Sequence, residues 1–298
     1  MANLGTCSTS FTPIGQKGCL KGNPLKMASL IALTLPNFKF PTKTEFQTED
    51  DWNTAIANEE IFILEKIEDI EDANVEAVIN ETGSGVKRKN RDGKRGAIYK
   101  MNMDFNQNKN LQSYANGNLL VFIIDEVNNI IGTSQDGVTV QGLKPSFLDI
   151  RPMMVPTSSD INAQSIVEIQ FANWEEIDIN ESVALGTELS PWIPKELIPL
   201  SLIEVVDISI TAGVITATFQ SRDETLAHEP TIPIRSIVEA NLNIIDQASA
   251  PVTPDGVTET TTPGVWEIDV TTSAMTAGTI QLIATSTSLF KSNVGVVS

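Results

Sequence analysis

The sequence predicts a mainly β protein built as two domains, residues 1–190 and 191–298. Three observations carry that expectation. Apolar and polar residues alternate with period two in one segment after another, as half-buried strands require. Turn-forming Gly, Asn, Asp and Pro separate those segments at short intervals. The chain also changes composition around "LSPWIPKELIPLSL", residues 189 to 202, where Pro191, Pro194 and Pro199 make a stiff, extended connector.

The first domain reads as a β-sandwich or barrel with one or two short helices. "MASLIALTLPNFKFP" opens it as a strand. In "TEDDWNTAIANEE", Thr48 is a good N-cap and acids fill the first turn, so a short helix is expected. "IFILEKIEDIEDANVEAVINE" follows as a long strand, or a strand with a bulge. Gly83, Gly85, Asn90, Asp92-Gly93 and Gly96 then mark a mobile loop or hairpin tip. "GAIYKMNMDF" alternates Ile98, Lys100 and Asn102 against Tyr99, Met101 and Met103. "NQNKNLQSYANG" is a second short helix ended by Gly117. "NLLVFIIDEVNNIIGTS" is a buried hairpin with Asn128-Asn129 at its tip. "GVTVQGLKPSFLDI" and "QSIVEIQFANWEEIDIN" supply the last strands.

In the second domain, "VVDISITAGVITATF" alternates Val206, Ile208 and Ile210 against Asp207, Ser209 and Thr211. It turns at Ala212-Gly213 and resumes with Ile215, Ala217 and Phe219. That is a hairpin. "VEANLNIID", "VWEIDV" and "TIQLIATS" repeat the period, which suggests a β-sandwich of about a hundred residues.

Composition narrows the function. An apolar fraction of 41% and a charged fraction of 19% describe a folded chain. The longest apolar run, "LLVFII", falls far short of the roughly 20 residues of a membrane-spanning helix. No secretory signal is visible at the N-terminus, so synthesis in a cytoplasm without export by the usual route is expected. Cys7 and Cys19 read as two reduced thiols, or as a bridge closing the N-terminal arm. With His228 as the one histidine, they cannot complete a closed zinc shell without carboxylates.

No catalytic constellation is written in the chain. His228 lies in a Pro-flanked loop with no serine or cysteine motif nearby. "GSGVKRK" fails the G-x-x-x-x-G-K-[ST] spacing of a phosphate loop. Carboxylates such as Glu175-Glu176 are plentiful, but an aromatic fraction of 6% argues against sugar platforms. "SQDGVT" and "TPDGVT" contain only turn chemistry, not a calcium loop. The expectation is a binding or building protein, with no enzymatic activity, cofactor or metal.

Charge is the most informative feature. The chain carries 38 Asp and Glu against 20 Lys and Arg, a formal charge of −18. Residues 83–96 hold six of those cations, Lys87, Arg88, Lys89, Arg91, Lys94 and Arg95, with Asp92 the one anion, so the remainder stands at −23. A surface that acidic is repelled by phosphate backbones. No aromatic residue is interleaved with these cations before Tyr99 to stack on bases, so a phosphate clamp is the weakest reading, behind a solvated loop without a role and the preferred docking arm. As a docking arm, the segment is complementary to the acidic run just upstream, Glu65, Glu68, Asp69, Glu71 and Asp72, on another copy. Head-to-tail complementarity of this kind stacks copies into rings or filaments.

Taken with the late "SIVEIQFANWEEID" strand and the long loop between strands, residues 28 to 185 resemble the tail tube proteins of tailed bacteriophages. The second domain resembles the immunoglobulin-like modules appended to many phage structural proteins. The resemblance implies a tail-tube-like β-sandwich or barrel flanked by a helix, assembled as rings, usually hexameric. The rings would stack through the 87–95 loop and the N-terminal arm. Other virion proteins would be partners, DNA only a passing cargo, no membrane would be involved, and the lumen would be lined by Asp and Glu. The place of action would be the virion, after synthesis in the host bacterial cytoplasm. A capsid decoration protein, a head–tail connector or minor virion protein, and a cell-surface adhesin or binding module are the alternatives.

Overall fold

In a computed structural model of the chain, the described residues are 24–81, 83, 85–103, 105–115, 117–154, 164–171, 181–184, 189, 192–221, 237–273, 275–285 and 289–297. Cys7, Cys19, Glu175, Glu176 and His228 lie outside them. The fold is mainly β. Two compact units are present, Met1–Glu49 with Glu60–Leu197, and Asp50–Glu59 with Ile198–Ser298.

In chain order the first unit contains β1 (Ala28–Thr34), α1 (Lys43–Phe46), β2 (Ile61–Ile63), β3 (Ile67–Asp72), β4 (Val78–Glu81), β5 (Lys87–Arg91) and β6 (Arg95–Met101). It continues with α3 (Phe105–Leu111), β7 (Leu120–Asp125), β8 (Ile130–Thr133), β9 (Phe147–Met154), β10 (Gln164–Phe171) and β11 (Glu181–Ala184). Helix α2 (Glu49–Ala57), apart from its first residue, belongs to the second unit. Sheet I has the order β11-β8-β7-β1-β2 and sheet II the order β3-β6-β10-β9.

The two sheets share one core. Ile31, Leu33, Val121, Ile123 and Ile131 of sheet I meet Ala97, Tyr99, Met101, Leu148, Ile150, Val167 and Ile169 of sheet II. Every residue of β1, β7 and β8 is buried, including those that face away from sheet II. On that second face Phe122 packs against Phe40 and Phe46, with ring centroids 6.0 and 5.6 Å away. Burial on both faces explains why these strands read as continuous apolar runs instead of alternating ones. Phe40 is held there by a backbone bridge to Val140. The segment around Val140, expected to be a strand, makes only isolated bridges, Phe40–Val140, Thr133–Gln141 and Val121–Leu143.

The segment 61–81 departs from the single long strand expected of it. Leu64 donates its N–H to the Ile31 carbonyl at 2.9 Å while still on sheet I, and by Ile67 the chain has joined sheet II. It then leaves both sheets as β4. The apolar positions Ile61, Ile63, Leu64 and Ile67 are buried, and the polar stretch beyond them is not, so the chain divides where its hydrophobicity does. Helix α3 docks on sheet II through Asn108, which donates to Ser165 Oγ at 2.7 Å and accepts from the Met153 N–H at 3.0 Å.

The second unit contains β12 (Ser201–Thr211), β13 (Val214–Ser221), β14 (Leu242–Asp246), β15 (Pro251–Val252), β16 (Gly256–Glu259) and β17 (Val265–Asp269). After these come β18 (Gly278–Leu282), β19 (Phe290–Ser292) and β20 (Gly295–Val297). Sheet III, β16-β17-β13-β12-β19, faces sheet IV, β15-β14-β18-β20, across a core that includes Val205, Phe219, Trp266, Ile268, Ile244 and Ile280. The expected hairpin is there, turning at Ala212 and Gly213 with φ of 52° and 81°. Its alternation is interrupted by a bulge between Val206 and Ser209, with Asp207 at φ 50°. The bulge puts Val206 opposite Thr218, while Ile208 and Ile210 pack on the core, so these three do not share one face.

Candidate assembly interface

The cationic segment is not a loop. Lys87–Arg91 forms β5 and pairs antiparallel with β4, and all nine residues of the two strands are exposed. The hairpin continues the β3–β6 pair outward through mutual backbone hydrogen bonds of Val75 and Lys94, both 2.8 Å. Residues 86–94, at about 3.3 Å each, carry its tip roughly 30 Å past Arg95, where the pairing of β6 with β10 ends.

Register assigns each cation a neighbour. Lys87 lies opposite Glu81, Arg88 opposite Asn80, Lys89 opposite Ile79 and Arg91 opposite Val78, with a bulge at Asn90. Lys89 also forms an ion pair with Asp92. Because side chains alternate along a strand, one face carries Ile79, Glu81, Lys87 and Lys89, and the other Val78, Asn80, Arg88 and Arg91. Both lysines have a carboxylate close by on the hairpin itself. On the arginine face no carboxylate lies within β4 or β5; Glu76, exposed and two residues before Val78, continues that face toward the base of the hairpin. Arg95 opens β6 and is exposed opposite Phe171.

The acidic run is divided between several surroundings. Glu65 is half-buried between β2 and β3, and Glu68 is exposed at a bulge in β3. Lys100 of β6 donates to Asp69 at 2.9 Å and to Glu71 at 2.5 Å, and Lys26 pairs with Asp72 at 2.7 Å. These contacts leave a mark on the titration of each group. The hydrogen bond from Lys100 holds the Asp69 carboxyl below its ordinary value, and the bond from Lys26 does the same for Asp72. Glu71, then Asp69, raises the Lys100 ammonium. Three of the five acids expected to meet a neighbouring copy are therefore ion-paired within their own chain.

Lys100 belongs to a wider polar surface on the outer face of sheet II. There Arg151 Nη2 donates to Glu168 at 2.5 Å, and its Nε lies 3.5 Å from Asp149. Among the described residues, the cations that meet Asp69, Glu71, Asp149 and Glu168 across these four strands are Lys100 and Arg151, and Gln170 also donates to Glu168 at 2.8 Å. Sequence reading did not assemble this surface. The signal was the two-residue spacing of Asp69 and Glu71, matched by Lys100 in the polar phase of β6.

No family model, curated protein or solved structure matches the chain.

Proposed function

We propose that this chain is a structural virion protein that assembles with copies of itself into stacked rings, the tube of a phage tail through which DNA passes. It acts as a building element without catalysis or cofactor, in the virion, after synthesis in the host bacterial cytoplasm. The observation that carries the reading is the cationic hairpin, which extends from a two-sheet sandwich on a chain that is otherwise strongly acidic. An exposed two-stranded ribbon has little stability of its own, and a neighbouring surface would supply what it lacks. Strands β3 and β9 are the two edges of sheet II; Asn108 occupies part of the β9 backbone, which leaves β3 as the edge for lateral joining of copies. The outer face of sheet II, with four carboxylates against two cations, suits a lumen wall. DNA in a cationic channel would release counterions and adhere, whereas an anionic wall lets it slide.

Electron microscopy of the purified protein tests the reading. Hollow filaments are expected. Replacing Lys87, Arg88, Lys89 and Arg91 with Ser should shorten or abolish them. Salt near 1 M, where the Debye length falls to about 3 Å, should mimic the substitutions. Strictly monomeric protein at high concentration would refute the proposal, and a small closed oligomer would point to a decoration or connector protein.

A further inference from the structure

We infer that the arginine face of the hairpin docks on the outer face of sheet III in a second copy, where Glu267 and Asp269 receive Arg88 and Arg91. The inference rests on the self-assembly reading and names the partner surface within it.

The acids nearest the hairpin in sequence are already engaged within their own chain. Asp69 and Glu71 sit two residues apart on β3 and are gripped by Lys100. Glu267 and Asp269 have the same two-residue spacing on β17, and no cation meets either of them among the described residues. Trp266 and Ile268 point into the core, so Glu267 and Asp269 point out. Glu267 is flanked by Thr258 of β16 and Thr216 of β13, and Asp269 by Gly256 and Val214. These neighbours are small-chained; Glu267 and Thr258 are exposed, the others half-buried, and Asp269 Oδ1 accepts the Thr271 N–H at 2.9 Å, which leaves its Oδ2 to a partner. Lys291 is the only Lys or Arg among the described residues from 198 onward, and it is ion-paired with Glu59.

The hairpin supplies the complement. Arg88 and Arg91 lie two ladder positions apart on one face, since the bulge at Asn90 absorbs the extra residue. Carboxylates two residues apart on a strand stand about 6.6–6.8 Å apart, close to the separation of those two ladder positions. A guanidinium binds a carboxylate through two parallel N–H donors, which fixes register as well as contact. Val78, 40% exposed and opposite Arg91, would lie against Val214 and the threonine methyls.

Charge reversal tests this in the full-length protein. Arg88→Glu with Arg91→Glu makes one variant, and Glu267→Arg with Asp269→Lys the other. Circular dichroism and melting curves establish that each is folded. In sedimentation velocity and electron microscopy, each alone should require about tenfold or more protein to assemble, because like charges then face each other. Mixing the two variants should restore assembly, and so should combining all four substitutions in one chain. If the hairpin variant fails to assemble while the sheet III variant assembles like the wild type, the docking surface is wrong and the self-assembly reading stands. If the wild type does not assemble, both fall. If instead the wild type retains duplex DNA at physiological salt and only the hairpin variant releases it, the arginine face is a nucleic-acid arm and the inference is overturned.

Discussion

Thr34, the last residue of β1, offers a direct test of the core. Its side chain is 0% exposed, and its hydroxyl has no hydrogen-bond partner. The neighbours are apolar: Thr34 lies between Leu120 of β7 and Ile61 of β2. Thr34→Val removes the unpaired hydroxyl and keeps the branching at Cβ, so the rotamer need not change. Leaving a buried polar group unsatisfied costs about 1–3 kcal/mol. The methyl that replaces it adds up to about 0.8 kcal/mol of burial. Set against the tight fit of a fully enclosed site, a net gain of about 1–2 kcal/mol is expected. For a unit of this size each kcal/mol moves the midpoint by about 2–4 °C, so the unit's melting transition should rise by about 2–8 °C. Differential scanning calorimetry of the full chain reads this directly. Thr34→Ser is the control: it keeps the hydroxyl, loses a methyl, and should melt below the wild type. A valine variant that melts at or below the wild type would refute the reasoning, because the hydroxyl would then have to be hydrogen-bonded.

Two further predictions concern local chemistry. The Asp136 carboxyl is held at about 2 by the Val138 N–H, then by the hydroxyl and N–H of Thr139. A folded-state value below the ordinary one of about 3.9 stabilises the fold above that pH, and the contribution is lost as pH falls toward 2. Wild-type melting temperature should therefore fall more steeply between pH 4 and pH 2 than that of Asp136→Ala; parallel profiles would refute this. Ala212, at φ 52° in the β12–β13 turn, occupies a left-handed conformation that alanine adopts at a cost. Ala212→Asn should raise stability by about 0.5–1 kcal/mol, and an unchanged or lower melting temperature would count against it.

What the sequence revealed follows from burial. Strands β1, β7 and β8 were legible because sheet I is covered on both faces and their apolar runs are unbroken. Helix α2 was legible from Thr48 and the acids after it. The hairpin β4–β5 was legible only in part: the turn formers from Gly83 to Gly96 marked a loop or hairpin tip, but strands exposed on every side carry no apolar alternation, so "KRKNR" reads as a charge run and not as a strand. Sequence proximity also misled the assignment of the acids. Asp69, Glu71 and Asp72 looked available because no cation but Lys66 is near them in the chain, yet Lys100 and Lys26 reach them through the pairing of β6 with β3 and the segment before β1. Sheet register, not sequence distance, decides which charges meet.

Helix α2 has a consequence for how the protein is made. It leaves the ribosome with the first unit but groups with the second, which is complete only about 240 residues later, roughly 12–48 s at 5–20 residues per second. A nine-residue helix is marginal by itself, and Trp52 and Ile56, fully buried in the finished fold, are uncovered for that interval. The nascent chain therefore carries an adhesive segment early and hides it last. A message truncated at the proline-rich connector would release α2 without the rest of the unit it groups with, and such a product should be captured by chaperones or aggregate.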